Sequence, residues 1–484
     1  MRTSPASNIT RPTDCPSSFP LLCFVVRTGS MDLNEEINAL RDAFRSGKTY
    51  ERAWRVQQLT TLKKALAASE GALSEALRLD LGKDVYESYI TEIGMVYGEI
   101  DYALKHLGGW MHPRRVAGAL ANYPSSNYII PQPVGVVLIM SPWNYPVQLT
   151  LAPLVAAFSA GDVAVVKPSR YSTHTSAALK QMLDGAFPAD VVRTYEGGSE
   201  MNTALLAQRF DHIFFTGSPK VGKVVMEAAS KYLTPVTLEL GGKSPVVIDE
   251  TADIPLAARR IAWGKCLNAG QTCVAPDYVL VDRRKMDAFI KAFGAEVKQM
   301  YTDDPLTCPD FPHIINEKHY QRLRGLLGSG KIVLGGTHDD ATRKIAPTIL
   351  ENPDPQSPVM QEEIFGPILP VIPFDDFDGA LAFINDREHP LALYLFSNNH
   401  ERQDHVVHHL LYGGGCINDC VCHLANPNMP FGGVGSSGMG RYHGKDGFET
   451  FSHLKSILVK PAHPDIPLRY APYKGKLKTA KKLM

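Results

Sequence analysis

The sequence predicts an α/β protein: a doubly wound parallel sheet followed by a second α/β unit. Three observations carry that prediction. Between residues 134 and 240, short runs of apolar residues alternate with stretches of helical period. The runs are almost continuously hydrophobic, as strands covered on both faces must be. A glycine-containing turn also opens a helix directly after the fourth run, at Phe215-Thr216-Gly217-Ser218-Pro219. Sheets of this kind bind nucleotides beyond the carboxyl ends of their strands.

The elements follow in order. From residue 32 to about residue 107 the period is helical, with Leu59, Leu62, Leu66, Leu73 and Leu77 along one stripe. Residues 123–132 read as extended, with Tyr and Ile close to Pro. Strands are expected at 134–140, 163–166, 191–195, 213–216 and 236–240. Helices are expected near 149–159, 174–183, 202–208 and 220–231. The second α/β stretch opens near Gly241, with its clearest strands at 245–248, 278–281 and 331–334. No repeat of the roughly 20–50-residue length that marks solenoids and propellers is visible.

Composition narrows the function classes. The 484 residues hold 50 Lys plus Arg against 50 Asp plus Glu, so no global field draws the chain to nucleic acid. No apolar run reaches the roughly 18 residues that a transmembrane helix needs. The 8 cysteines are thinly spread and fit a reducing compartment, the cytoplasm, better than a disulfide framework. Cys416, Cys420, Cys422 and His423 cluster, but without the paired spacing of a zinc site, so no metal is expected. Residues 1–30 are rich in Ser, Thr and Pro and read as a disordered extension, or as an upstream start with Met31 the natural beginning. A targeting segment is the alternative. Residues 461–484 form a basic tail with Lys474, Lys476, Lys478, Lys481 and Lys482. A solvated tail is the simpler reading, and weak attraction to an anionic membrane surface the other.

Two residues suggest the chemistry. Cys273, in Asn268-Ala269-Gly270-Gln271-Thr272-Cys273, can act as a nucleophile once ionised. Glu239, at a strand end before Gly241-Gly242, can take a proton from water, and its flanking leucines imply partial burial that raises its pKa. Together they can form and hydrolyse a thioester. Cys266 stands close by without such a context and serves as an internal control. Gly217 to Lys223 reads as the start of a P-loop, but Val224 stands where Ser or Thr would hold Mg²⁺, which disfavours an NTPase.

These segments, in this order, resemble the aldehyde dehydrogenase superfamily from about residue 32 to near the C-terminus, most closely its class 3 branch of fatty and aromatic aldehyde dehydrogenases. Ser141-Pro142-Trp143-Asn144-Tyr145-Pro146, Gln361-Glu362-Glu363-Ile364-Phe365-Gly366-Pro367 and the glycine-rich stretch from Pro430 to Arg441 carry the likeness further. The resemblance implies an NAD(P)-binding Rossmann-like domain at 31–114 and 133–240, a catalytic domain at 241–439, and a small β oligomerisation arm at 115–132 and 440–460 that forms a homodimer. It implies an aldehyde substrate, NAD or NADP as cofactor, and Cys273, Glu239 and Asn144 as nucleophile, base and oxyanion donor. Trp143, Lys167, Ser169, Gly217, Ser218, Gly222, Leu240, Glu363 and Phe365 become cofactor contacts. At position 170 the family commonly has Glu holding ribose hydroxyls, whereas this chain has Arg170. A guanidinium pairs with a 2′-phosphate that a carboxylate would repel. A CoA-acylating relative and a non-catalytic protein that kept the fold are the competing readings. The first is opposed by Glu239 and the second by the full catalytic set.

Overall fold

A computed structural model describes residues 32–483; the extension expected at 1–30 lies outside them. Two sheets dominate. A six-stranded sheet runs in the order Gly438–Met439, Val236–Glu239, His212–Thr216, Val136–Met140, Val163–Lys167, Val192–Thr194, parallel except at its first pair. The chain starts this sheet at Val136–Met140, builds outward to one side, then returns to build the other. The switch point therefore lies between Val136–Met140 and His212–Thr216. The five parallel strands lie within a residue or two of the expected positions.

These strands form where they do because both faces are covered. Every residue of Val136–Met140 and of Val163–Lys167 is buried. Helix Gln148–Ala160 on one face is buried at all of its positions, so its hydrophobicity is continuous rather than amphipathic. Two apolar clusters result. The larger one joins the N-terminal helices, this helix and the second sheet, and the smaller fills the opposite face of the first sheet.

The second sheet has seven strands in the order Lys331–Leu334, Thr348–Glu351, Ile368–Phe374, Tyr278–Asp282, Pro245–Ile248, Ala392–Phe396, Gly414–Ile417. Only the first pair is antiparallel. Three of these strands sit where the sequence places them. Thr348–Glu351, Ile368–Phe374, Ala392–Phe396 and Gly414–Ile417 are found only in the structure; prolines, glycines and short lengths weaken their pattern. A third sheet pairs Arg114–Val116, Ser126–Pro133 and Ser452–Val459, all antiparallel.

The N-terminal helices are tied to the first sheet by an ion pair with no solvent exposure on either side chain. Lys83 Nζ lies 2.6 Å from Glu92 Oε1. It also donates to the carbonyl of Asn144 at 3.1 Å and sits 3.9 Å from the centre of the Tyr145 ring. The other carboxylate oxygen of Glu92 accepts the backbone N–H of Val147 at 2.7 Å. Lys83→Met should strand the Glu92 charge and cost about 3–5 kcal/mol of stability, whereas Lys83→Met with Glu92→Leu should recover much of it. Urea unfolding of both variants checks this; equal loss in the two would mean the pair is not what holds this junction.

Candidate active site

Three chain segments converge at the carboxyl end of the first sheet. Asn144 follows Val136–Met140, Gly217 and Ser218 follow His212–Thr216, and Glu239 ends its strand. Across from them stands the segment carrying Cys273, which leaves helix Ile254–Cys266 through an unusual turn. Asn268, Ala269 and Gly270 all take left-handed backbone conformations, with φ of 50°, 51° and 75°. For non-glycine residues such angles cost of order 1–3 kcal/mol each. At Gly270 a side chain would also strike the carbonyl of Gly366, its Cβ falling 2.3 Å from that oxygen.

A dense set of hydrogen bonds holds this turn. The N–H of Asn268 donates to Glu87 at 2.8 Å, and its side-chain amide donates to the carbonyls of Asn144 at 2.7 Å and Gln271 at 3.2 Å. Gln271 donates to the carbonyls of Asn268 and His313, both at 3.0 Å, and accepts from Ile315 N–H. Beyond them, the Tyr145 and Thr272 hydroxyls meet at 2.5 Å and the Tyr394 hydroxyl donates to the Val274 carbonyl at 2.6 Å. Cys273 is thus fixed from both sides. The amide of Asn144 donates to the Gln271 carbonyl at 3.0 Å, which places the expected oxyanion donor against the nucleophile segment.

Cys273 lies where two cavities meet. One, of about 530 Å³, is lined by Cys273, Asn144 and Glu239 together with Trp143, Gly217, Ser218, Leu240, Glu363 and Phe365. The other, of about 140 Å³, is walled mainly by apolar and aromatic side chains, among them Met95, Trp263, Leu424 and Phe431. Tyr442 borders both. Nine of the thirteen expected site residues are therefore gathered around one space. Lys167, Ser169, Arg170 and Gly222 are not in its lining. The first three sit at the end of the neighbouring strand. There the Lys167 amine donates to the Pro168 carbonyl, and burial with the nearby Arg170 charge lowers its pKa to about 8. Arg170 is exposed, its guanidinium 5.1 Å from the centre of the Tyr171 ring. Gly222 lies within the helix that follows Ser218; a Cβ there would fall 2.9 Å from Leu240, so its smallness serves close packing.

Burial controls the ionisation of the site. Glu239 is 2% exposed, neither carboxyl oxygen has a hydrogen-bond partner among the described residues, and its pKa is pushed well above the ordinary carboxylate range. Burial also raises Glu363 to about 8, with the Asp277 charge adding to it. The Cys273 thiol is pushed up to about 12 by burial, then by the Glu363 and Glu239 carboxylates; its own N–H and that of Val274 act the other way.

Several residues that shape the site escaped the sequence reading. Arg322 donates to the carbonyl of Ile364 at 2.6 Å and pairs with Glu362. Lys243, paired with Asp277, donates to the carbonyls of Val359 and Glu362 at 2.8 and 2.9 Å. Both clamp the segment bearing Glu363 and Phe365. Lys243 directly follows the Gly241-Gly242 pair beside Glu239 and could have been singled out. Arg322 sits on an ordinary polar helix, Glu317–Leu326, with nothing local to mark it. Trp143, Phe365 and His319 form an aromatic wall, with Trp143 5.4 Å from Phe365 and 5.1 Å from His319 between ring centres. Among the described residues no group of three or more His, Cys, Asp or Glu is placed to hold a metal, and no helix is long and apolar enough to cross a membrane.

A doubly wound sheet whose strand ends present a buried carboxyl and an amide to one cleft, with a thiol facing them, defines a class of α/β oxidoreductases. Within that class the chain belongs to the aldehyde dehydrogenase family, whose model matches residues 5–457, and it is an oxidoreductase acting on aldehydes. Similar proteins include 4,4'-diaponeurosporen-aldehyde dehydrogenase of Staphylococcus aureus, 46% identical over 90% of this chain and 96% of that protein. The dimeric NADP-preferring aldehyde dehydrogenase of Rattus norvegicus is 45% identical over 88% of this chain and 94% of its own. Family 3 members from several organisms match at the same level, which places the chain in that branch. Among solved structures, the substrate-bound state of Staphylococcus aureus AldH matches with a TM-score of 0.91 at 44% identity, covering 94% of this chain and 99% of that one.

Because the Cys273 thiol stands at about 12, its ionised fraction should rise roughly tenfold per pH unit through the neutral and mildly alkaline range. Alkylation of Cys273 by iodoacetamide, followed by peptide mass spectrometry, should track that rise, while the fully buried Cys266 stays unlabelled. A rate at Cys273 that does not vary with pH would contradict it.

Proposed function

We propose that this protein oxidises aldehydes to carboxylic acids through a thioester on Cys273, released by water that Glu239 activates. The chain is an NAD- or NADP-dependent aldehyde dehydrogenase; the proposal concerns how its own residues do the work. One observation carries it: a half-buried thiol and a fully buried carboxyl without a hydrogen-bond partner among the described residues line the same cavity, beside an amide donor.

The cleft fits a dinucleotide. Glu363 is half-buried there, with one buried carboxyl oxygen unpartnered among the described residues, as a group waiting for hydroxyls would be. Ser218 caps helix Pro219–Ser230, whose N-terminus favours phosphate. Glu363 would hold the nicotinamide ribose, Ser218 the pyrophosphate and the Trp143–Phe365 wall the ring, with Lys167, Ser169 and Arg170 at the adenosine end. When bound, NAD(P)⁺ supplies a hydride acceptor.

The Cys273 thiolate attacks the aldehyde carbon. A C–S bond forms and the carbonyl oxygen becomes an oxyanion. The Cys273 N–H and the second N–H of the Asn144 amide donate to it, in surroundings dry enough to make both donors strong. Loss of hydride from that carbon leaves a thioester on Cys273. Glu239, ionised, takes a proton from water; the hydroxide adds to the acyl carbon, the C–S bond breaks, and acid and thiolate separate. Because burial raises the pKa of Glu239, hydrolysis should speed up as pH rises until that carboxyl is ionised.

The wider organisation is read in the same way. Residues 31–114 and 133–240 form the cofactor-binding domain, and 241–439 the catalytic domain. Residues 115–132 and 440–460 form an arm that joins a second copy in a homodimer, with 461–484 a basic tail. The arm reading is supported by the three-stranded sheet, whose strand Ser452–Val459 leaves Leu454, Leu458 and Val459 exposed. The six free cysteines among the described residues support a reducing compartment, the cytoplasm.

Glu239→Gln should slow thioester hydrolysis by roughly 10²–10⁴-fold while leaving acylation, so that a burst of reduced cofactor precedes slow turnover. Stopped-flow absorbance reads this directly, and a variant with normal steady-state turnover would remove Glu239 from the base role.

Arg170 should admit NADP⁺ beside NAD⁺. One charge-assisted contact is worth roughly ten- to a hundredfold in affinity. Arg170→Glu should therefore raise KM for NADP⁺ far more than for NAD⁺ at fixed ionic strength. Equal changes in both would show that the guanidinium only faces water.

A further inference from the structure

Glu87 is a buried carboxyl that the thioester chemistry does not use. It sits in the single helical turn Val85–Ser88, yet its partner stands 181 residues further on: Glu87 Oε1 accepts the N–H of Asn268 at 2.8 Å. Asn268 is where the chain leaves helix Ile254–Cys266. The N–H of Leu267 still donates back to the carbonyl of Trp263. Asn268 and Ala269 then turn left-handed, and the Asn268 N–H, fully buried, must find an acceptor outside the helix. The Glu87 carboxyl is that acceptor.

The bond reaches the reacting groups through one residue. The Asn268 amide donates to the carbonyls of Asn144 and Gln271, and the Asn144 amide donates to Gln271 in turn. A shift at Asn268 therefore disturbs the spacing of the oxyanion donor and the nucleophile together.

The groups facing Glu87 do not fix its charge. Lys83 and Asp84 come from the residues before it, Glu92 from the turn after it and Tyr145 from the Asn144 segment. Cys266 faces it from the end of its own helix, and Tyr301 from the end of helix Met286–Tyr301. The cation among them, Lys83, already pairs with Glu92 at 2.6 Å. Burial shifts Tyr145, Tyr301 and Cys266 upward, so all three stay neutral near neutral pH. Burial pushes Glu87 up to about 7, with Lys83 and the Asn268 N–H acting the other way. Its carboxyl is thus ionised above that pH and neutral below it. A carboxylate holds an N–H about twice as strongly as a neutral acceptor does.

We propose that Glu87 is a positioning residue for acylation: it holds the turn that sets Cys273 against the Asn144 amide, and holds it more firmly when ionised. The inference rests on the reading of Cys273 as the nucleophile. The grip is strong on the alkaline side and weakens as the pH falls and Glu87 takes up a proton.

The test is single-turnover formation of NADH from NAD⁺ and hexanal, with enzyme in excess, from about pH 6 to about pH 8.5. Glu87→Gln keeps the shape and an acceptor for the Asn268 N–H but cannot ionise. Its rate should match wild type at the acid end and fall roughly three- to tenfold behind it at the alkaline end, the difference between a neutral and a charge-assisted hydrogen bond. Glu87→Leu removes the acceptor and should be slower by roughly tenfold or more at every pH, with KM for NAD⁺ unchanged. A ratio of Glu87→Gln to wild type that stays constant across the range, or a folded Glu87→Leu variant with the wild-type rate, overturns the proposal. Undiminished turnover in Cys273→Ala overturns the thioester reading instead, and so the two failures are told apart.

Discussion

The junction around Lys83 is what the rest of the site depends on. A lysine and a glutamate are both withdrawn fully from water, an arrangement that costs several kcal/mol per ion unless every remaining donor and acceptor is used. Here they are used on the backbone of the catalytic segment. Glu92 receives Val147 N–H, and Lys83 holds the Asn144 carbonyl, to which the Asn268 side chain also donates. Helices from the start of the chain, the amide of Asn144 and the turn before Cys273 therefore share one hydrogen-bonded unit. That unit is what can hold two non-glycine residues in the left-handed region, since relaxing either would break several buried bonds at once.

The same dryness sets the electrostatic character of the centre. Glu87, Glu239, Glu363 and Cys273 are all shifted toward their neutral forms, each first by burial. Glu239, Glu363 and Cys273 line one cavity, and both carboxylates would repel the thiolate if all were ionised. Neutral, they are tolerated. The thiol gains from this at rest, since a neutral sulfur is a poor target for oxidants and alkylating agents.

Much of this was legible in the chain. Alternation of apolar runs with helical stretches located the first sheet, because a strand covered on both faces leaves no polar positions to blur it. The motifs around Asn144, Glu239, Cys273 and Glu363 located the cleft. What stayed hidden was whatever depends on distant partners. Nothing near Lys83 or Glu92 marks them as buried, and an isolated Lys or Glu in a helical stretch reads as surface. Arg322 was silent for the same reason. Four of the seven strands of the second sheet were missed, two of them because Ile368–Phe374 carries prolines and Gly414–Ile417 opens on glycines. The edge strand Gly438–Met439, which crosses over to pair with Val236–Glu239, is two residues long and has no local signal at all.

The meeting of two cavities at Cys273 has a kinetic meaning. The sulfur forms a floor common to a cleft on one side and a channel on the other, and each has its own mouth. Neither visitor has to pass through the space of the other. In the proposed mechanism, arrival can then occur in either sequence, and the spent dinucleotide can depart while an acyl group is still attached. A bulky or slow-moving hydrocarbon in the channel does not obstruct that exchange. Such traffic is two-way rather than single-file, and the lanes share only the stretch of wall formed by Leu149, Cys273, Phe431 and Tyr442.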